Sequence, residues 1–306
     1  MSQKPIAISD FLQDINNFNI IKKKREDKLA TLHGKPNEKY LLHIFKNPSH
    51  RFLEAFFRSI EIRAPLNHPT ILPLTGFSYD ESDFILIEPY LENGSLDKFM
   101  QDRQKGIDIP NLETIRSIII FGLAAGLAYL HQNGIIHKHL DSEHILLDNE
   151  MHPKIIGTEK RFFEVINLDM DCITPFCEVC FISPECLEDH AVTGKTDVYS
   201  YSILLVSLFK FKLPFDPKQS KNKYMFLSSV TKGERPDITG DDIPEIWANL
   251  IKQCWKPDPL ERPRSIEIVQ RLMDGKDEFF NDPRINQEEL SRYIESVTSG
   301  LDFSRL

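Results

Sequence analysis

The sequence has no even set of cysteines to pair. It carries five, and four of them (Cys172, Cys177, Cys180 and Cys186) fall within one short stretch. An odd count gives no disulfide framework. The spacing C-x4-C-x2-C-x5-C contains one zinc-like pair, but its intervals match no common zinc module. Reduced thiols in a partly buried loop are expected there, and no metal. Positive charge is not in excess either. A formal net charge of -9 lacks the basic face on which nucleic-acid binding depends, so no nucleic-acid partner is expected. The most hydrophobic runs, such as IRSIIIFGLAAGLAYL at 115–130, are short and closely flanked by polar residues, which argues against a membrane span. The opening MSQKPIAISDFLQD lacks the apolar core of a signal peptide. A cytoplasmic protein with no membrane partner is the expectation. Internal repeats and low-complexity tracts are also missing.

What is present is a change of pattern along the chain. At 306 residues, two lobes suit the length better than one core. Residues 1–18 are polar with a short amphipathic patch and read as an N-terminal extension. Residues 19–90 are strand-rich: EKYLLHIFK reads as a strand, a helix follows over about Arg51 to Ala64, and FILIEPY closes the region as a strand. ENGSL then makes a turn in which Ser95 is placed to cap a helix. Residues 91–274 are helical. IRSIIIFGLAAGLAYLH is apolar on nearly every face, as a buried helix would be. TDVYSYSILLVSLFKF, IPEIWANLIKQCW and SIEIVQRLM are further helices, the last two separated by the breaker-rich KPDPLERPR. Residues 275–306 form a charged tail with one helix expected over Gln287 to Thr298. A small sheet lobe ahead of a larger helical lobe is an α+β, two-lobed architecture.

Six segments then stand in one order: LNHPTILPLTGF, FILIEPYLENGSLDKFM, GLAYLHQNGIIHKHLDSEHILLD, ISPECLE, GKTDVYSYSILL and CWKPDPLERPRSIEIVQRL. On them the chain resembles a eukaryotic protein kinase domain of the tyrosine-kinase-like group, over about residues 18–274. The resemblance implies the protein kinase fold, with a β-rich N-lobe and a helical C-lobe.

The chemistry of that family makes separate demands. Phosphoryl transfer is mostly positioning and charge neutralisation. It uses a glycine-rich loop, a strand lysine held by a helix glutamate, a catalytic-loop Asp and Asn, and the Asp of D-F-G. Where the loop belongs, KKKREDKLATLHGK has one glycine, Gly34, and no G-x-G-x-x-G. Without those glycines the backbone cannot easily bring N–H groups to a phosphate. The run Lys22, Lys23, Lys24 and Arg25 reads more simply as a solvated strand edge. The resemblance puts the strand lysine at His43. Lys46 lies an odd number of residues on, hence on the opposite face unless a bulge intervenes. The helix glutamate falls at Ser59, and Glu61, about 200° around a helix from it, faces elsewhere.

H-R-D-L-x-x-x-N aligns onto His137 through His144. His139 occupies the place of the base Asp and His144 that of the magnesium Asn, while Asp141 puts negative charge where a lysine would face the γ-phosphate. D-F-G aligns onto Gly157, Thr158 and Glu159. Magnesium asks for hard oxygen ligands, which the two histidines do not supply. No catalytic residue and no metal is therefore expected. ATP binding would be weak at most, through hinge backbone groups at Glu88 and Tyr90, with Pro89 removing one donor and Ile87 as gatekeeper.

Architectural positions are kept. The resemblance implies a buried ion pair between Glu185 and Arg262, an aspartate, Asp197, holding the catalytic-loop backbone, and Trp255 as the tryptophan of the large lobe. Between Gly157 and Glu185 the hydroxyl residues before Ser183 are Thr158 and Thr174, and Lys138 replaces the arginine that would read a phosphate there, without its fork. ITPFCEVCFI is apolar for an exposed loop, as if packed on the large lobe or on a partner. Together these features imply a pseudokinase: a signalling scaffold or allosteric regulator with protein partners and no required cofactor. The alternatives are an active Ser/Thr kinase using rewired residues such as His139, Asp141 and Lys46, and a nucleotide-binding switch.

Overall fold

Breakers and apolar alternation place most elements where the sequence suggests. The computed structural model describes residues 8–24, 27–79, 83–156, 180–187, 192–215 and 223–305. Among these, 8–67 and 71–92 form one compact unit, and 68–70, 93–156, 180–187, 192–215 and 223–305 form the other. This is the α+β, two-lobed kinase fold.

The small lobe is an antiparallel sheet of five strands in the order β1-β2-β3-β5-β4. They are β1 (Phe18–Lys24), β2 (Asp27–Leu32), β3 (Lys35–Lys46), β4 (Gly76–Tyr79) and β5 (Asp83–Pro89). Helix α1 (His50–Arg63) follows β3, capped by Ser49, whose side chain accepts from the Phe52 N–H. Side chains alternate across β3, and its pairing with β5 is unbroken from Tyr40 opposite Pro89 to Lys46 opposite Asp83. Two cores result. Ala30, Leu42, Ile44, Ile85, Ile87 and Phe18 pack on one face. Phe84, Leu86 and Phe77 pack on the other with Phe56 and Ile60 of α1. The segment 8–17 belongs to both, through Ile15 in the first and Phe11 in the second. Lys22 and Lys23 lie on β1, an edge strand of this sheet.

The large lobe is built on α3 (Leu112–Gln132), after α2 (Leu96–Gln104), which Ser95 caps. By length and composition α3 could cross a membrane, but 15 of its 21 residues are buried among its neighbours. Its apolar surface on every side is core surface. A short hairpin, β6 (Ile145–Leu147) and β7 (Pro153–Ile155), comes next. Then follow α4 (Pro184–Leu187), α5 (Gly194–Lys210), α6 (Lys223–Thr231), α7 (Glu245–Cys254) and α8 (Ser265–Asp274). The C-terminal stretch ends the fold with α9 (Lys276–Phe279) and α10 (Gln287–Thr298). Helix α10 has the bounds expected from sequence and buries Leu290, Tyr293, Ile294 and Val297. It packs on α3, where Gly122 makes room: a Cβ there would lie 2.2 Å from Tyr293 Oη and 2.6 Å from Pro153 Cγ.

Candidate functional site

In the small lobe, His43 lies in the middle of β3, opposite Leu86 of β5. Phe45 and Leu86 pack toward α1, so His43, two residues from Phe45, looks the same way. This is the face on which a strand lysine would meet a helix carboxylate. The side chain is buried, with only 4% of it exposed. Its Nδ1 is 2.8 Å from Asp27 Oδ1, and its Nε2 is 3.3 Å from Glu88 Oε2. Lys46 stays on the opposite face and exposed, because β3 pairs with β5 without the bulge that would turn it.

Glu88 is the residue that departs most from expectation. It lies inside β5, paired with Leu41, on the His43 side of the sheet. Ile87, expected as gatekeeper, points the other way, fully buried beside Leu42 and Phe18. The carboxylate on the His43 face is thus the group a ligand would meet there, and the mid-sized apolar residue is not. Glu88 Oε1 accepts from both Nη1 and Nη2 of Arg63, each at 3.3 Å, and Arg63 Nη2 also donates to the Leu72 carbonyl at 3.4 Å. Ser59, which the resemblance sets at the helix-glutamate position, turns its hydroxyl back onto the Phe56 carbonyl at 2.7 Å, and Glu61 is exposed. The hinge expectation also changes: the Tyr90 N–H is already donated to the Lys39 carbonyl at 2.9 Å.

Arg63 and Asp27 escaped the sequence reading. The available signal was spacing: Arg63 lies four residues after Ser59, one turn along the same helix face.

The large lobe holds the residues aligned with the catalytic loop. Asp197, in the first turn of α5, has no exposed surface. Its Oδ2 accepts from the His137 N–H at 2.8 Å and its Oδ1 from the Lys138 N–H at 2.7 Å, with His131 Nε2 2.8 Å from Oδ2. Those bonds hold Lys138 at a φ of 71°, in the left-handed region. His131, in turn, places Nδ1 2.7 Å from Ser265 Oγ. His137 is buried with Nε2 2.9 Å from the Ile156 carbonyl. Burial pushes its pKa below the ordinary imidazole range, with the Asp197 carboxylate opposing that shift.

Asp141 does not present its charge outward. It is 3% exposed, and its Oδ1 accepts from the Glu143 N–H at 2.9 Å and the His144 N–H at 3.0 Å, with His144 Nδ1 at 2.8 Å. An aspartate whose side chain bonds to N–H groups two and three residues on is closing its own turn. Asp141 is a local cap, and the expected repulsion of a triphosphate by an outward carboxylate is corrected accordingly. His144 is buried and His139 half-buried. Among the described residues no three His, Cys, Asp or Glu side chains gather in a way that could hold a metal ion.

The kept positions meet in the same lobe. Arg262 faces Glu185 with two parallel contacts, Nη1 to Oε1 at 2.7 Å and Nη2 to Oε2 at 2.9 Å. Thr196 Oγ1 donates to Glu185 Oε1 at 3.1 Å, and Arg262 Nε donates to the Lys256 carbonyl at 2.8 Å. Trp255 is the C-terminal cap of α7, buried, its carbonyl taken by Arg235 Nε at 3.1 Å. Gly157, Thr158, Glu159, Thr174, Cys172 and Cys177 lie outside the described residues.

A family model described as protein tyrosine and serine/threonine kinase matches residues 26–272. The chain is 33% identical over 226 residues to the RGS domain-containing serine/threonine-protein kinase A of Dictyostelium discoideum, a match covering 73% of this chain and 19% of that one. It is 27% identical over 237 residues to human receptor-interacting serine/threonine-protein kinase 1, covering 72% and 34%. Against the dual specificity protein kinase zak2 of Dictyostelium discoideum it is 26% identical over 252 residues, covering 75% and 39%. The matched region thus spans well under half the length of each of these relatives. With its small-lobe sheet, its large-lobe helices and the buried Glu185–Arg262 pair, the chain belongs to the protein tyrosine and serine/threonine kinase family.

Proposed function

We propose that this kinase domain does not transfer phosphate and works as a pseudokinase, a scaffold or allosteric regulator that acts through protein partners in the cytoplasm. The observation that carries the reading is the side-chain set on the α1-facing side of β3 and β5. A histidine with carboxylates at both ring nitrogens stands where the family needs a lysine for the α- and β-phosphates. Glu88 on that same face is engaged by Arg63 and His43, and a carboxylate there offers an anionic ligand no attraction. In the large lobe, His139 and His144 occupy the places of the base and of a magnesium ligand, and imidazole is a poor substitute for hard oxygen around magnesium. These losses fall on different strands and loops, so no single compensating residue repairs them. ATP binding is expected to be weak at most, and no cofactor is required.

A second reading, an active or weakly active serine/threonine kinase with rewired residues, draws on the relatives, several of which are named as kinases of that specificity. Thermal unfolding with ATP, alone and with magnesium or manganese, separates the two, because a ligand of the native state raises Tm by mass action. No shift and no transfer of labelled γ-phosphate to a generic protein substrate are expected. A metal-dependent shift accompanied by transfer would overturn the non-catalytic reading.

A further inference from the structure

We infer that Arg63 and Glu88 form a clamp of inverted charge, which holds α1 against the sheet without a nucleotide. In the family's active arrangement the cation is on β3, the anion is on the helix, and the cation also serves the phosphates. Here the signs are exchanged: the helix carries the cation, Arg63, and the sheet carries the anion, Glu88. Their side chains are 9% and 12% exposed, so solvent screens the pair little. Glu88 Oε1 takes both terminal nitrogens of the Arg63 fork while Oε2 faces His43, so both carboxylate oxygens are engaged from the α1-facing side. The Leu72 carbonyl receives a further Arg63 bond, tying the last turn of α1 to the chain that leads into β4.

The consequence follows from the signs. A strand lysine is shared between helix and phosphate, so the helix position answers to the ligand. A strand carboxylate has no attraction for phosphate, so its contacts with Arg63 and His43 do not compete with a nucleotide. The position of α1, and of the exposed face carrying Arg51, Glu54, Arg58 and Glu61, is then set by the chain itself. Such a fixed helix suits a binding platform. This inference rests on the proposed non-catalytic role for its purpose, and its test distinguishes the two.

Hydrogen exchange of the full chain, followed through peptides covering 50–63, reads the clamp directly. Glu88→Gln and Arg63→Ala are each expected to speed exchange in α1 tenfold or more, with α3 amides unchanged. Arg63→Lys keeps the charge and loses the fork, so an intermediate rate is expected, and it serves where the alanine variant unfolds. The exchanged pair, Arg63→Glu with Glu88→Arg, is expected to recover most of the protection. Single variants with wild-type exchange in α1, or with equal acceleration in α3, would overturn the clamp. Added protection of α1 in the wild type by ATP and magnesium would instead count against the non-catalytic reading, while loss of protection in Glu88→Gln would still uphold the clamp.

Discussion

Arg262 and Glu185 lie fork to fork in the large lobe, 77 residues apart in sequence, with 1% and 4% of their surfaces exposed. Neither ion could stay buried alone. Each Arg262 nitrogen has a partner: Glu185 takes Nη1 and Nη2, Nη1 also reaches the Lys195 carbonyl at 3.0 Å, and Nε holds the Lys256 carbonyl. The guanidinium also lies over the Tyr199 ring, 5.2 Å from its centroid.

Removing one member should therefore cost more than the pair contributes. Glu185→Ala and Arg262→Ala are each expected to lower unfolding free energy by about 3–5 kcal/mol, since each strands a buried charge. Arg262→Lys should be nearly as damaging, because an ammonium cannot reproduce the fork. The check is the urea midpoint of each variant. A loss under about 1 kcal/mol, the range of an exposed pair, would sink the idea.

Acid should weaken the fold in two successive windows. Burial pushes His68 below the ordinary imidazole range, although the Val297 carbonyl 2.8 Å from its Nε2 works the other way. Burial does the same to His137, against Asp197. In both, the unfolded chain binds a proton more readily than the folded one, so stability is full above about pH 6.5 and falls as pH drops below it. Glu185 comes second. Burial pushes it up, but the hydrogen bond and charge of Arg262 outweigh that and hold it below the usual carboxylate range. Its contribution is present above about pH 4.3 and is lost as pH falls through the lower folded value. Urea midpoints followed from about pH 8 to about pH 2 test both windows. His68→Gln should flatten the first limb and leave the second; an unchanged first limb would remove His68 from the account.

Placing a lysine at Asp141 should harm the protein and leave nucleotide affinity where it was. The carboxylate is buried and bonded to two backbone N–H groups and the His144 ring. Asp141→Lys would orphan those N–H groups at about 1–3 kcal/mol each, and His43 and Glu88 would remain as they are. The expected result is a lower Tm with no ATP-dependent shift. A variant as stable as the wild type that gains ATP binding would restore the outward-facing role first read from the alignment.

Asp141 also marks where the sequence stops being readable. Helices α3, α5, α7, α8 and α10 fall close to their expected places because periodicity and breakers are local signals. Glu185 closes on Arg262 in the pairing that the family resemblance implies. Alignment fixes the position of Asp141 along the chain but not its direction. The D-S-E-H turn competes for the carboxylate, and the nearest N–H groups win. Glu88 and Ile87 show a different limit. FILI at 84–87 is apolar without a break, so no alternation says which side chains face α1. A one-residue uncertainty in a strand exchanges the two faces. Arg63 went unread because its partner depends on that same face.

The C-terminal helix offers the sharpest contrast between two small substitutions. Tyr293 of α10 is buried against α3, and among the described residues its hydroxyl has no hydrogen-bond partner. Its ring packs beside His152, with centroids 4.5 Å apart. Tyr293→Phe keeps the ring and removes an oxygen with no bond to lose, so stability should stay within about 1 kcal/mol of the wild type or rise. Gly122→Ala adds one carbon on the facing helix, into space that Tyr293 Oη and Pro153 Cγ already fill. Neither ring nor hairpin can retreat far, and overpacking of this kind costs about 1–3 kcal/mol. Combining them is decisive: in the Tyr293→Phe background the nearest clash is gone, so Gly122→Ala should cost measurably less. Equal costs in both backgrounds, measured by urea midpoint, would mean that α10 is not what Gly122 accommodates.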